Sequence, residues 1–521
     1  MKKKEDILSL IKSLSKSEKR YFKLFIGKNS IGESSHYLNL FNAIDKAGSV
    51  ERNIIQKLYG DDYFMQKQFK SYKNRLYDQI LNSLAAFHSE GSVDDQILEL
   101  IRKAKILYDK TLYSNAGDLL EKAKNLTCKY EKNTFLPEII RWQKEIISNN
   151  LYTNREINEK DITRLFEEEK LTVQKIDNEN EYWKLRSLIY MTFQQNGIAR
   201  GQEDIDKYNA VIDAPVLKNQ IVLSYQAQRD IYSIYYIYSI AVNKVKDAYT
   251  YSKKSMALME AHPNYIEDDP LKYIKSFHNL LLITYGLKKY EEFFNVLPKF
   301  KSTLGRFQGI MNENICSTIL IGSYDLAFAV YLEIGQFKKA TLLLEEIETV
   351  LNKQKNKNKL LEFHINQKSA LLYFANGDYH KALKKCNLIL DDKTINLEHS
   401  TYSYYKVFQL IIHFEKENTE LIPYLVKSIY KYLLQRKKLF NTERILMQFF
   451  RTGLKTINSK QDQIKAFKAL KEGLAKAFED PIEARFLEYF DVISWLESKI
   501  ENREFGEILR VKSGYVPEEN E

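Results

Sequence analysis

Apolar residues recur along this chain at intervals of three and four, the spacing of one face of an α-helix. Tyr21, Phe22, Phe25 and Ile26 form one such stripe, and Leu38, Leu40, Phe41 and Ile44 another. Phe69, Tyr72, Leu76, Ile80, Leu84 and Phe87 form a third and longer one. The pattern predicts a helix from about Glu5 to Ser13. A second starts at the capping box Ser15-x-x-Glu18, in which Ser and Glu satisfy each other's orphan amides. A third runs from about His36 to Ala47, and a fourth from Val50 to Tyr59, ended by Gly60. Asp61-Asp62 then opens a long helix to about His88. Gly91-Ser-Val-Asp-Asp95 marks a boundary. Helices follow over about 95–112, 114–131, 137–150, 160–177, 181–196, 202–212 and 225–242, punctuated by Asn196-Gly197 and Asp213-Ala-Pro215. Further helices fill Thr401 to Arg510. There Asp480-Pro481-Ile-Glu483 has the order of a helix start, Asp at the N-cap and Pro at the first helical position. The helix after it carries Phe486, Phe490, Trp495 and Leu496 and is expected to cap the end of the structure. The expected fold class is all-α, with roughly two dozen helices.

The stretch Gly322 to Leu390 adds a repeat. It reads Tyr331-Leu-Glu-Ile-Gly335-Gln-Phe337-Lys-Lys-Ala340, then Tyr373-Phe-Ala-Asn-Gly377-Asp-Tyr379-His-Lys-Ala382. In both copies an aromatic precedes Gly by four residues, a second follows it by two, and Ala follows by five. Gly accepts the left-handed backbone that ends one helix and turns the chain. Ala suits a point where two helices approach closely. This spelling resembles the tetratricopeptide repeat. Weaker copies surround Thr111, Asn243 and Lys288, with Phe293 in place of Ala in the last. The steps between Asn243, Lys288, Gly335 and Gly377 are 45, 47 and 42 residues, against about 34 in the usual repeat, so the helices are lengthened. The resemblance implies a right-handed solenoid of antiparallel helix hairpins behind a small helical N-terminal module. Leu14-Ser-Lys-Ser-Glu-Lys-Arg-Tyr-Phe22 and Phe486-Leu-Glu-Tyr-Phe-Asp-Val-Ile-Ser-Trp-Leu-Glu-Ser498 also resemble a group of uncharacterised bacterial helical-repeat proteins, which implies no activity.

Four regions follow: 1–90, a basic module; 91–215, hairpins of irregular spelling; 216–400, the repeat-like part; and 401–521, further helices and a cap. At 521 residues the chain is too long for one compact core, a limit that a solenoid escapes because its core grows with length. Gly (18) and Pro (8) are scarce, which argues against long loops. Residues 1–90 hold 16 Lys+Arg against 10 Asp+Glu, so most of the net charge of +10 lies there. Cys128, Cys316 and Cys386 are far apart and suggest no disulfide framework. The opening Met1-Lys-Lys-Lys4 is not followed by a secretory apolar run. The longest apolar stretch found, Ile231 to Val242, is shorter than the about 20 residues of a membrane span. The expectation is a cytoplasmic protein without membrane insertion. Lys353 to Lys359 reads as a charged turn, and the residues from Val516 as a loose end.

Motifs of chemistry are missing. The chain has no Gly-rich phosphate loop, no Gly-x-Ser-x-Gly elbow and no His-Glu-x-x-His. No catalytic residue, cofactor or metal ligand is expected, although a site assembled only in three dimensions leaves no local motif. The leading expectation is a non-catalytic scaffold that binds a partner protein or peptide, with Tyr232, Tyr235, Tyr236 and Tyr238 as the binding surface, because Tyr gives large contact area with few rotatable bonds. The alternative is a transcription regulator. Its helix-turn-helix would centre on Gly60, with Lys67, Lys70, Lys73 and Arg75 on DNA and the repeats as sensor or dimerisation arm. In the scaffold reading the third stripe, with Leu76 and Ile80, packs on the first hairpin after Gly91.

Overall fold

The computed structural model describes residues 6–29, 34–47, 63–88, 91–152, 158–199, 201–219, 221–309, 313–353, 359–392, 399–418, 420–435, 440–456 and 459–515. Among these residues every regular element is helical, and the helices pack against their neighbours. The expected all-α class is therefore observed. The Val50–Tyr59 helix, the Gly60 break, most of the Lys353–Lys359 run and the residues from Val516 lie outside the described residues. Two compact units divide the chain. The first comprises Met1–Gln195, Asp206–Ile234 and His262–Asp268, and the second Asn196–Ile205, Tyr235–Ala261 and Asp269–Glu521.

The first unit begins with a cluster of helices over Asp6–Ser13, Lys16–Asn29, Ser34–Ala47 and Tyr63–His88. Ile7, Ile11, Phe22, Phe41, Leu76 and Ile80 belong to one buried core there. Leu76 and Ile80 thus find their partners inside the N-terminal module and not on the hairpin after Gly91, as the sequence had suggested. Three amphipathic helices already supply enough apolar surface to cover that face. The capping box is present in both directions. The Ser15 amide donates to Glu18 Oε2 at 2.6 Å, and the Glu18 amide to Ser15 Oγ at 3.2 Å. Glu18 Oε1 also meets His88 Nε2 at 2.8 Å, tying the start of one helix to the end of another.

Beyond Gly91 a separate core gathers Ile97, Ile101, Ala104, Leu120, Ala123, Ile139 and Trp142. The two helices expected over 160–177 and 181–196 are one, Glu159–Asn196. The polar run Asp177-Asn-Glu-Asn-Glu181 looked like a break, but it contains neither Gly nor Pro. Asn178 serves the neighbouring chain instead: its Oδ1 accepts from the Leu223 amide at 3.2 Å and its Nδ2 donates to the Ile221 carbonyl at 2.9 Å.

One turn recurs through both units. Thr111, Glu131, Asn243, Lys288, Gly335, Gly377 and Glu417 all have φ between 47° and 75°. At each, the following amide bonds back to the carbonyl four residues before the turn residue. Examples are Leu112 to Leu107 (2.9 Å), Lys289 to Thr284 (2.9 Å), Gln336 to Tyr331 (2.8 Å) and Asp378 to Tyr373 (2.8 Å). This pairing satisfies the last carbonyls of a helix. The residue five after each turn is buried: Ala116, Leu136, Ala248, Phe293, Ala340, Ala382 and Ile422. The helices on either side of the Thr111, Lys288, Gly335, Gly377 and Glu417 turns pack on each other.

In the second unit the helices Phe337–Lys353, Lys359–Ala375, Tyr379–Asp391 and His399–Glu415 follow in order. The last segment does not merely close their end. It runs back along them. Phe490 lies 5.3 Å from Phe374, Phe505 lies 6.1 Å from Phe337, and Tyr515 lies 5.6 Å from Phe294. The Asp480-Pro481 start gives only a short helix, Pro481–Ala484, before a 3-10 turn at Arg485–Glu488 and a new helix at Val492–Glu501. Glu483 caps a different helix, accepting from the Asn441 amide at 2.7 Å and the Thr442 amide at 2.9 Å. Among the described residues one helix, Ile315–Glu333, is long and apolar enough to cross a membrane. It is longer than the Ile231–Val242 stretch read from the sequence, and it packs on the helices Pro270–Gly286, Phe337–Lys353 and Lys359–Ala375.

Candidate partner-binding surfaces

Tyr232, Tyr235, Tyr236 and Tyr238 of the Tyr225–Ala241 helix are each half-buried. Tyr235 stacks on Tyr251 with ring centroids 5.0 Å apart and planes 15° from parallel. The Tyr236 hydroxyl reaches the Asn279 carbonyl at 3.5 Å, and burial raises its pKa. Tyr238 faces the Lys244 ammonium at 6.0 Å. Tyr232, four residues before Tyr236, is half-buried like them. At Tyr235 and Tyr236, then, much of the ring area touches neighbouring helices. The same helix hides a charge that the sequence reading passed over. Asp230 is buried and accepts from Gln226 Nε2 at 2.9 Å, with Arg186 Nη1 at 3.3 Å and Arg229 Nη2 at 3.4 Å. The signal was there in Arg229-Asp230, the only charged residues of that helix.

Of the basic residues on the Tyr63–His88 helix, Lys73 is half-buried and Arg75 exposed. The side chains of Lys67 and Lys70 lie outside the described residues.

Four of the repeat-defining residues, Gly335, Phe337, Gly377 and Tyr379, border one cleft with the C-terminal segment. Gly335 and Gly506 touch closely: a Cβ on Gly335 would sit 2.3 Å from the Gly506 carbonyl oxygen. A Cβ on Gly506 would sit 2.9 Å from the Phe337 ring. Gly377 has open space around the same point. Ala340 and Ala382 are fully buried. Nearby, Glu415 gathers three donors: Trp495 Nε1 at 2.7 Å, Lys499 Nζ at 2.6 Å and the Tyr379 hydroxyl at 3.0 Å. Burial, and then the Glu415 charge, raise the Tyr379 pKa.

Two clefts flank this segment within the second unit. One, of about 650 Å³, lies between the helices ending at Gly286, Glu333 and Ala375 and the residues 487–513. The other, of about 1,040 Å³, is lined by the Gly335 and Gly377 turns, the start of the Lys460–Ala477 helix and residues 495–510. Lys338, Lys339, Lys460, Lys499, Arg503 and Arg510 border it, against Glu415 and Glu504. Among the described residues no group of three His, Cys, Asp or Glu side chains is placed to hold a metal ion. No family model matches this chain, and no curated protein matches it.

Proposed function

We propose that the protein is a non-catalytic scaffold that binds a partner protein or peptide, built as a right-handed solenoid of antiparallel, tetratricopeptide-like helix hairpins. The observation that carries this reading is the recurrent turn. Eight helix ends among the described residues share one left-handed residue with one hydrogen-bond pattern, and seven of them are followed five residues later by a buried side chain, the exception being Asn502, where the fifth residue is half-buried Glu507. A motif repeated along a chain is how repeat proteins stack units that cannot bury their apolar faces alone, and stacked units present long surfaces to partners. The helix bearing Tyr232, Tyr235, Tyr236 and Tyr238 is a candidate face. Tyr232 and Tyr238, the half-buried tyrosines at either end of the set, are the residues to vary first.

Affinity capture by the purified full-length chain, with mass spectrometry of bound protein and sequencing of bound nucleic acid, tests the proposal. A protein retained by the parent and released by Tyr232→Ala or Tyr238→Ala at unchanged melting temperature supports it. Retention of nucleic acid in place of protein overturns it.

A further inference from the structure

We propose that the cleft at the Gly335 and Gly377 turns docks an acidic peptide segment of a partner protein; this rests on the scaffold reading only in taking the partner to be a protein. Six cationic side chains border the cleft against two carboxylates. One of those carboxylates, Glu415, is already engaged by Lys499, Trp495 and Tyr379. Elsewhere in this unit, lysines commonly sit beside acids: Lys368 by Asp325 at 2.6 Å, Lys471 by Glu497 at 2.7 Å, Lys385 by Glu348 at 3.3 Å. Lys338 and Lys460 are exposed and have no ion-pair partner among the described residues. The Arg510 guanidinium bonds to a backbone oxygen, that of Gly506, with Nε at 3.3 Å, and has no ion-pair partner among the described residues. Charges left uncompensated in a concave site raise the local concentration of an oppositely charged ligand.

The same geometry favours a peptide over a nucleic acid. Arg503 is flanked by Glu501 at 3.2 Å and Glu507 at 3.4 Å, and Glu504 stands beside them. A continuous phosphate backbone would run against these carboxylates. A peptide can space its acidic side chains to meet Lys338, Lys460 and Arg510 and leave the Arg503 edge alone. Half-buried Phe337, Tyr379 and Phe505 offer apolar contact for the residues between.

The test uses the full chain and a fluorescein-labelled poly-glutamate peptide, followed by fluorescence anisotropy at low salt. Lys338→Glu/Lys460→Glu is expected to bind at least about tenfold more weakly than the parent. Lys384→Glu/Lys427→Glu changes the net charge equally at exposed sites outside the cleft, and is expected to bind like the parent. Should the first variant melt early, Lys338→Gln/Lys460→Gln replaces it in the comparison. Equal loss in both charge-matched variants overturns the proposal, because the field of the whole molecule would then be responsible. So does absence of binding by the parent, or full displacement of the peptide by an equal concentration of a DNA oligonucleotide. A lysate protein captured equally by the parent and by Lys338→Glu/Lys460→Glu overturns the cleft and leaves the scaffold standing. Poly-glutamate binding lost in that variant, with no protein captured from lysate, upholds the cleft and removes the scaffold.

Discussion

Gly335 and Gly377 share a backbone conformation, with φ near 70°, but not an environment. Gly377 needs only its left-handed turn, and Asn243 adopts the same one. Gly377→Asn should therefore cost under about 1 kcal/mol, since Asn tolerates this region. Gly335→Asn meets the Gly506 carbonyl as well and should cost about 2 kcal/mol or more, in the range of overpacked cores. Urea titration of the two variants decides the matter; equal losses would mean that the Gly335–Gly506 approach is dispensable. A second comparison tests the buried fifth position. Ala382→Trp should cost about 1–3 kcal/mol, whereas exposed Lys384→Ala should be near neutral. Equal melting temperatures would break the equivalence of the turns. At this scale the sequence showed the two glycines and their alanines. It could not show Gly506, which is 171 positions from Gly335 and has no motif around it. Nor did Glu131 and Glu417 stand out, because each holds a left-handed turn without resembling a turn residue.

Elements were legible where the period of three and four was long and flanked by Gly or Ser, and less so where polar residues interrupted it. The Ser15-Glu18 box was read correctly because its partners are local. Glu483 was not, because its hydrogen bonds are made 41 and 42 residues away, at the first turn of the Asn441–Arg451 helix. That helix start holds a second buried acid, Glu443, which accepts from the Phe440 amide at 3.1 Å and from the Ser403 hydroxyl. Burial holds the Glu443 carboxyl above its ordinary value of 4.5; the hydrogen bonds from Ser403 and Phe440 oppose the shift, and the charge of Glu483 adds to it. The folded chain thus binds this proton more tightly than the unfolded chain. The ionised carboxylate works against folding above the folded-state pKa, and this penalty fades as pH falls and is gone below the unfolded value. Glu443→Gln keeps an acceptor for the Phe440 amide, and the Ser403 hydroxyl can turn to accept. The variant should melt above the parent at about pH 7–8, with the gap closing toward about pH 4. A gap independent of pH would show that ionisation of Glu443 is not its source.

In the whole molecule, the largest described core joins residues from Phe363 to Leu496 in the second unit. Trp495 is central to it, lying 6.2 Å from both Phe414 and Phe467 and bonded to Glu415. Trp495→Ala should cost about 3–5 kcal/mol. Hydrogen exchange should show protection lost in the His399–Glu415 helix as well as locally. Loss confined to 492–501 would mean that the segment docks without supporting the rest.

The backward course of that segment also bears on how the protein is made. Phe374, Phe337 and Phe294 leave the ribosome more than a hundred residues ahead of Phe490, Phe505 and Tyr515, which cover them. At ordinary synthesis rates the interval is on the order of ten seconds. Through it the nascent chain carries aromatic rings that lack part of their final cover, which makes it a natural client for chaperones that hold apolar surface until translation has delivered the remainder.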